Sequence, residues 1–318
     1  MTRGFLLGKF MPPHRGHVVL CETARRLVDQ LTILVCWLPD DPIPGQVRLG
    51  WMQKLFPDAR VVGHDAIVPQ APEDHPDFWP IWRAIVQKVH PEPIDLVFGG
   101  EDYARRLAAE MNAEPMVLDR KGIASSGTAI RSDPWAHWDQ LPHVVRPWYA
   151  KTICLHGPES TGKSTLAADL AAHFATQCVP EYGRTHTEVF GGEVGPTDIV
   201  TIGRTQSALI QSLLPWCNRR LISDTDALTT AAWSGMMLGH VPDGTMDGFR
   251  KADLYLLTDI DIPWTDDGTR YYPDEADRAR FMGICEQVLE EADANWVRIR
   301  GSREARLEQA IAAVANLR

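Results

Sequence analysis

Short apolar runs alternate with amphipathic stretches through the first half of the chain. Continuous apolar runs at residues 5–8, 31–35, 94–98 and 115–118 predict buried strands. The stretch 18–29 predicts a helix that packs through Val18, Val19, Ala24, Leu27 and Val28. A strand, a turn with glycine, a helix and a second strand form a βαβ unit. We therefore predict a parallel sheet for this half.

The same alternation starts again further along the chain. Residues 132–149 contain Pro134, Pro142 and Pro147 and predict a connecting segment with one short helix. Apolar runs at 152–155, 221–223 and 254–257 predict strands, and residues 165–174, 278–290 and 303–317 predict helices. Two α/β domains follow, residues 1–149 with the linker and residues 150–318.

Composition supports a folded chain with two cores. The 318 residues are 44% hydrophobic and 23% charged, with a formal net charge of −10. This charge argues against nucleic acid as a partner, because binding to a phosphate backbone requires a basic face. The sequence has no secretory signal, no apolar stretch near ~20 residues and no cysteines at zinc spacing. We expect a cytoplasmic protein with no membrane partner. Its composition is compatible with a homo-oligomer.

The first predicted strand ends in a turn that carries two histidines. His14 and His17 lie three residues apart where the chain enters the predicted helix, so both imidazoles can donate hydrogen bonds to phosphate oxygens there. Lys9 adds a positive charge, and Gly16 permits a tight backbone approach. The alternative is a loop with two solvated histidines. The preceding strand and the following helix favour a phosphate site.

A second hydroxyl-rich cluster closes this half at residues 125–131. Ser126 and Thr128 precede a short helix and offer backbone and side-chain donors to phosphate, and Arg131 can form a fork to the same oxygens. Alone, this pattern is an ordinary helix cap. It becomes informative beside His14 and His17.

The second half carries a stronger phosphate signature. Residues 157–164 match G-x-x-x-x-G-K-S between a predicted strand and a predicted helix, which is the context of a P-loop. Lys163 would reach the β- and γ-phosphates, and Ser164 would hold Mg²⁺. The strand at 221–223 ends in Asp224 and Asp226, where the acid on the magnesium side is expected. The segments 179–184 and 264–270 complete the set, although each by itself reads equally well as a surface loop.

The N-terminal motifs resemble the nucleotidylyltransferase superfamily over about residues 4–131. The form of the 125–131 cluster looks most like the nicotinamide mononucleotide adenylyltransferase half of NadR proteins, with Ser125 and Gly127 departing from the general pattern. The P-loop followed by E-Y-G-R, D-T-D and W-x-D-D-G-x-R resembles the ribosylnicotinamide kinase half of NadR over about residues 151–318. The whole chain thus resembles a NadR-type bifunctional protein. This resemblance implies an N-terminal Rossmann-like nucleotidylyltransferase sheet and a C-terminal P-loop kinase sheet.

The resemblance implies two ATP-dependent steps of NAD salvage. In the C-terminal domain the γ-phosphate of ATP passes to nicotinamide riboside, and in the N-terminal domain the product mononucleotide attacks the α-phosphate of ATP to give NAD and pyrophosphate. No protein nucleophile is needed, so catalysis rests on positioning and charge stabilisation. The implied catalytic residues are His14, His17, Arg131, Lys163, Asp224, Glu181 and Arg270.

Further residues are assigned to binding. ATP and the cofactor Mg²⁺ are expected at Gly8, Lys9, Phe10, Gly16, Gly100, Asp102, Ser126, Thr128, Gly157, Glu159, Ser160, Thr161, Gly162, Ser164 and Thr165, with Asp224 beside Ser164 on the metal. Substrate contacts are expected from Trp79, Trp82, Tyr182, Arg184, Asp226, Trp264 and Asp266. Trp79 and Trp82 read equally well as core aromatics. Either Asp224 or Glu181 is the kinase base.

Alternatives remain open at this stage. The chain could act on another nucleoside, or it could bind ATP or NAD as a sensor without turnover. The intact His14, His17, Lys163 and Ser164 count against a sensor. Some NadR proteins carry an N-terminal helix-turn-helix that represses transcription. Because the first strand begins by Phe5, we expect no such module and no DNA binding.

Overall fold

A computed structural model describes residues 1–100, 103–118, 126–191, 193–266, 268 and 270–317. The chain divides into two compact units, Met1–Val145 and Arg146–Arg318. No helix within the described ranges is long and apolar enough to cross a membrane.

The first unit is built on a five-stranded parallel sheet with the strand order β3-β2-β1-β4-β5. Its strands are β1 (Arg3–Gly8), β2 (Gln30–Cys36), β3 (Arg60–His64), β4 (Leu96–Gly99) and β5 (Glu114–Val117). Its helices are α1 (Arg15–Leu27), α2 (Gly45–Leu55), α3 (Phe78–Val89), α4 (Tyr103–Met111) and α5 (Gly127–Ser132), with short 3₁₀ turns at Pro72–Asp74 and Trp138–Gln140.

Side chains alternate across the first sheet because successive strand residues point to opposite faces. Leu6 and Ile33 pack toward α1 and α2, whereas Phe5 and Leu34 pack toward α3 and α4. Both faces are covered, which explains the continuous apolar runs. The predicted parallel α/β fold is confirmed. One detail was wrong: Val19 and Leu27 are 37% and 49% exposed and do not belong to the packed face of α1.

The second unit is built on another five-stranded parallel sheet, with the order β10-β9-β6-β8-β7. Its strands are β6 (Lys151–His156), β7 (Cys178–Val179), β8 (Arg220–Asp224), β9 (Leu254–Thr258) and β10 (Trp296–Ile299). Its helices are α6 (Arg146–Tyr149), α7 (Lys163–His173), α8 (Tyr182–Phe190), α9 (Pro196–Leu213), α10 (Ala227–Leu238), α11 (Glu275–Glu291) and α12 (Arg303–Ala315), with a 3₁₀ turn at Leu214–Trp216.

The central strand β6 supplies both cores of this unit. Ile153 and Leu155 pack with α7 and α12, while Cys154 packs on the other face with α10 and α11. The register pairs Leu155 with Asp224, so β6 and β8 end at the same edge of the sheet. Ligands of open α/β sheets bind beyond this carboxyl edge.

A glycine in α9 marks a close backbone approach. A Cβ atom at Gly203 would lie 2.3 Å from the carbonyl oxygen of Thr245, whereas a Cβ atom at Gly283 in α11 meets nothing within 4 Å. Because the added methyl group would crowd the carbonyl oxygen of Thr245, we expect Gly203→Ala to lower the free energy of unfolding by about 1–3 kcal/mol. The matched control Gly283→Ala should raise it by about 0.5–1 kcal/mol, because alanine is the better helix former. Urea denaturation of both variants checks the pair, and stabilisation by both substitutions would contradict this close approach.

Two candidate active sites

The histidine motif of the first unit lies at the carboxyl end of β1. His14 is the residue before the first turn of α1, makes no side-chain capping hydrogen bond and is 3% exposed. The rings of His14 and His17 stack, with centroids 3.8 Å apart and planes at 28°. Two stacked imidazoles therefore lie at the N-terminus of α1, a position in the fold that favours an anion.

The loop before this helix is shaped by Phe10. Phe10 is buried, adopts a φ of 45° and packs edge-on against His17, with ring centroids 5.0 Å apart. A Cβ atom at Gly8 would lie 3.2 Å from the Phe10 ring. Gly8 and Phe10 thus form the floor of the histidine site, while the side chain of Lys9 is exposed.

The hydroxyl-rich cluster packs directly on this loop. The Arg131 guanidinium donates from Nη1 to the carbonyl oxygen of Met11 at 2.5 Å and from Nη2 to Thr128 Oγ1 at 3.2 Å. Ser126 caps α5 by accepting from the amide of Ala129 at 3.4 Å. Two motifs that are far apart in sequence therefore lie side by side in the fold.

The same contact explains a departure from the general superfamily pattern. A Cβ atom at Gly127 would lie 2.9 Å from the carbonyl oxygen of Met11. Since real Cβ atoms essentially never come so close to a backbone oxygen, α5 can approach the loop this tightly only with glycine at 127.

A buried arginine that the sequence did not suggest braces this site. Arg48 in α2 is 0% exposed and donates to the carbonyl oxygens of Lys9 (2.5 Å), Ile43 (2.9 Å) and Cys36 (3.3 Å). Its Nη2 atom also pairs with Asp41 Oδ2 at 2.6 Å. Arg48 thereby ties the loop after β1 to the loop after β2.

Replacing Arg48 should lower the free energy of unfolding of the first unit. Arg48→Met leaves Asp41 without its cation and three carbonyl oxygens without a donor. We expect a loss of about 3–5 kcal/mol, as for other broken buried ion pairs. Arg25→Met is the control, since Arg25 makes only exposed pairs with Glu22 and Asp58 and should change stability by under about 1 kcal/mol. Urea denaturation measures both, and equal small losses would mean that Arg48 does not brace the loops.

The remaining predictions for this unit have mixed outcomes. Trp82 is 7% exposed, packs against Phe78 and donates from Nε1 to the carbonyl oxygen of Pro69, so it is a core aromatic and not a stacking surface. Trp79 is half-buried and faces the Arg106 guanidinium at 5.6 Å. Gly100 follows β4 at the sheet edge, and Gly16 is buried in the first turn of α1. Asp102 lies outside the described residues.

In the second unit the P-loop joins β6 to α7. Gly157 and Gly162 have φ values of 129° and 79°, which favour glycine, and a Cβ atom at Gly157 would lie 2.8 Å from the carbonyl oxygen of Thr258. Lys163 is 6% exposed, and its Nζ atom donates to the carbonyl oxygen of Pro158 at 2.7 Å. The ammonium group is therefore held inside the loop, where phosphate oxygens bind.

A second buried arginine fixes the back of this loop. Arg306 in α12 is 4% exposed and donates from Nη1 to the carbonyl oxygen of Thr161 at 2.7 Å. Thr161 Oγ1 also bonds Thr258 Oγ1 at 2.7 Å. These contacts tie the P-loop to β9 and to the last helix.

Asp224 lies beside the P-loop at the end of β8. It is 4% exposed, and burial raises its pKa, although the charge of Lys163 and the neighbouring Ser164 hydroxyl oppose this. Its Oδ1 atom has no hydrogen-bond partner among the described residues. A buried carboxylate oxygen next to a serine hydroxyl fits Mg²⁺, which takes few protein ligands and completes its shell with phosphates and water.

A cavity of about 320 Å³ opens next to the P-loop. Residues 159–165 line it, together with Glu181, Arg184 and Arg270, all of which had been predicted as site residues. Glu181 lies just before α8, and Arg270 belongs to the segment between β9 and α11. The structure thus brings these three separate sequence segments together around one space.

Four predicted substrate residues lie elsewhere. Asp226 is 1% exposed; its Oδ1 atom caps α10 through the amides of Leu228 and Thr229, and its Oδ2 atom accepts from the Tyr255 hydroxyl at 2.6 Å. Asp226 therefore holds α10 and does not face the cavity, which corrects its predicted place near a substrate. Tyr182, Trp264 and Asp266 are likewise not among the described residues that line the cavity.

Aromatic wall residues were missed by the sequence analysis. Trp233 in α10 and Tyr271 line the cavity, with ring centroids 6.0 Å apart and planes at 72°. Met237 lies one helical turn beyond Trp233 on the same wall. In sequence, Trp233 reads as part of an apolar helix, so nothing local separates it from core residues.

Comparisons with known proteins agree with this arrangement. A family model described as an AAA domain matches residues 152–306. The trifunctional NAD biosynthesis/regulator protein NadR of Escherichia coli (strain K12) is 29% identical over 323 residues, covering 94% of this chain and 78% of that protein. The nicotinamide-nucleotide adenylyltransferase of Methanoculleus marisnigri is 26% identical over 148 residues, covering 43% of this chain and 84% of that protein.

Solved structures match the fold. A crystal structure of NadR in complex with NR and another in complex with NAD and AMP-PNP each superpose with a TM-score of 0.74 at 22% identity, covering 98% of this chain and 95% of theirs. The resemblance predicted from the motifs is therefore confirmed along the chain.

Proposed function

Because this chain is homologous to the NadR proteins over nearly its whole length, we propose that it is a bifunctional enzyme of NAD salvage. The second unit phosphorylates nicotinamide riboside with ATP, and the first unit transfers the adenylyl group of ATP to the resulting mononucleotide. One observation carries this proposal: a single chain builds both the His14–His17–Arg131 phosphate site and a P-loop with an adjoining cavity.

Adenylyl transfer in the first unit is an in-line displacement at the α-phosphate of ATP. The stacked His14 and His17 donate to the phosphate oxygens at the N-terminus of α1, and Arg131 adds a fixed positive charge. Lys9 and Thr128 support the same phosphates. The rate enhancement comes from holding the mononucleotide phosphate in line and from stabilising charge on the leaving pyrophosphate.

Phosphoryl transfer in the second unit uses the P-loop and the cavity beside it. Lys163 neutralises charge on the β- and γ-phosphates, and Arg270, which lines the same cavity and donates to Ser160 of the P-loop, adds a second positive charge. Mg²⁺ would be held by Ser164 and Asp224 and would neutralise further negative charge on the β- and γ-phosphates of ATP. Of the two carboxylates considered as base, Glu181 lines the cavity, so we assign it to the 5′-hydroxyl of the nucleoside.

The aromatic wall supports nicotinamide riboside over other nucleosides. The nicotinamide ring of the riboside carries a positive charge, and such rings bind favourably to electron-rich aromatic faces. Trp233 and Tyr271 provide such faces on the wall of the cavity, in place of the predicted Trp264 and Tyr182.

The test is a product assay on the whole chain. The pure protein is incubated with nicotinamide riboside, ATP and Mg²⁺, and the products are separated by chromatography. The proposal expects the mononucleotide first and NAD afterwards. Absence of the mononucleotide would remove the assigned kinase substrate, and failure to convert added mononucleotide to NAD would remove the assigned role of the first unit.

A further inference from the structure

The P-loop carries a buried glutamate that its motif does not require. In G-x-x-x-x-G-K-S the four middle positions are free, yet Glu159 occupies one of them and is only 6% exposed. A buried carboxylate is costly unless hydrogen bonds satisfy its oxygens. The partners of Glu159 therefore indicate what the residue does.

Among the described residues, the donors to the Glu159 carboxylate all belong to the segment between β9 and α11. Its Oε1 atom accepts from Trp264 Nε1 at 3.1 Å, from the amide of Tyr271 at 3.0 Å and from the amide of Tyr272 at 2.7 Å. Its Oε2 atom accepts from the amide of Tyr271 at 3.0 Å. Hydrogen bonds to an ionised carboxylate are about twice as strong as neutral ones.

The next residue strengthens the same attachment. Ser160 Oγ accepts from the amide of Thr265 at 2.8 Å and from Arg270 Nη1 at 2.5 Å. Arg270 also donates to the carbonyl oxygen of Thr265. Two adjacent P-loop residues thus hold this segment at two places, residues 264–265 and residues 270–272.

The attached segment supplies part of the cavity wall. Arg270 and Tyr271 line the cavity, and the Tyr271 ring lies next to Trp233. Burial and the negative charge of Glu159 raise the pKa of the Tyr271 phenol, which keeps that ring neutral. Glu159 therefore connects the loop that binds ATP to the wall that faces the nucleoside.

We propose that Glu159 is a positioning residue of the kinase site. It holds Tyr271 and Arg270 against the cavity through the backbone, and so determines nucleoside affinity without contacting the nucleoside. This inference rests on the proposed function of the second unit. Glu159 also lines the cavity, so its predicted contact with ATP stays a separate prediction.

Glu159→Gln is the informative substitution. Glutamine keeps the shape of the side chain but loses its charge. Its amide NH₂ group is a donor, so it cannot accept the hydrogen bonds that one carboxylate oxygen accepted. We expect the KM for nicotinamide riboside to rise about tenfold or more, since charge-assisted hydrogen bonds are lost. The KM for ATP should change less than about twofold, because Lys163 and the P-loop backbone remain in place. Glu290→Gln, at an exposed position in α11, is the matched control and should leave both KM values unchanged.

A double-mutant cycle tests whether Glu159 acts through Tyr271. If it does, Tyr271→Ala raises the KM for the riboside, and adding Glu159→Gln to Tyr271→Ala raises it little further. Fully additive effects would overturn the proposal, as would an unchanged riboside KM in Glu159→Gln.

Amide hydrogen exchange tests the attachment without any substrate. In Glu159→Gln the amides of Tyr271 and Tyr272 should exchange at least about tenfold faster than in the parent protein, while those of α12 do not change. Unchanged protection would overturn the positioning role. If the parent protein does not phosphorylate the riboside, the proposed function fails, and the exchange result still decides whether Glu159 holds the segment.

Discussion

Lys163→Ala should lower the rate of nicotinamide riboside phosphorylation at least about 10³-fold while adenylyl transfer continues. The ammonium group is buried inside the P-loop, 2.7 Å from the carbonyl oxygen of Pro158, and no other lysine or arginine belongs to residues 157–164. Without this ammonium group, the P-loop has no positively charged side chain to neutralise the negative charge on the transferring phosphoryl group. The rate of mononucleotide formation measures the effect.

The same preparation contains its own control. Added mononucleotide should be converted to NAD at the parental rate, because the residues of the first unit are unchanged. Lys163→Arg serves as a second variant: it keeps the charge, but its planar fork does not reproduce the point charge of an ammonium group, so most activity should still be lost. Full phosphorylation by Lys163→Ala would mean that the P-loop does not bind the phosphate donor.

His17→Ala should produce the opposite pattern. The His17 ring stacks on His14 at 3.8 Å and packs against Phe10, so its removal takes away one phosphate donor and the support of the other. We expect adenylyl transfer to fall by about 10²–10³-fold, comparable to the loss of one charge-stabilising donor in other enzymes. Formation of NAD from added mononucleotide is the measurement, and phosphorylation of the riboside should stay at the parental rate.

Arg15→Ala is the matched control for His17→Ala, because Arg15 is exposed and lies between the two histidines in sequence. It should retain most adenylyl transfer. If His17→Ala forms NAD as fast as the parent protein, the assignment of charge stabilisation to the stacked histidines is wrong.

Contiguous features of both sites were predictable. The P-loop and the His14–His17 turn each lie between a buried strand and a helix, and the hydrophobic pattern locates both elements. Their chemistry depends on backbone geometry within a few residues. The order of strand, turn, helix and strand also predicted a parallel sheet for the first half, which the structure confirms.

Residues that act across long sequence separations were not predictable. Arg48 reaches back to the carbonyl oxygen of Lys9, and Arg306 reaches Thr161 from the last helix. In the sequence, Arg48 and Arg306 are each a single arginine in an amphipathic helix. Such an arginine normally lies on the face of the helix that is exposed to solvent. Only packing shows that both guanidinium groups are buried and tie phosphate loops in place.

Side-chain direction likewise decided which of the predicted substrate residues line the cavity. Asp226 follows a strand that ends in carboxylates, yet its oxygens turn inward to cap α10 and to meet Tyr255. Trp264 turns toward Glu159, whereas Trp233 and Tyr271 form the wall of the cavity.

The sequence by itself therefore determined the two α/β sheets, the P-loop, the paired histidines and the family resemblance, since these depend on local spacing and hydrophobic period. The tertiary structure alone decided the aromatic wall, the two buried arginines and the role of Glu159. Those features depend on which distant segments the core brings within hydrogen-bonding distance of each other. The residues next to a given position in the sequence do not show which distant segment it will contact.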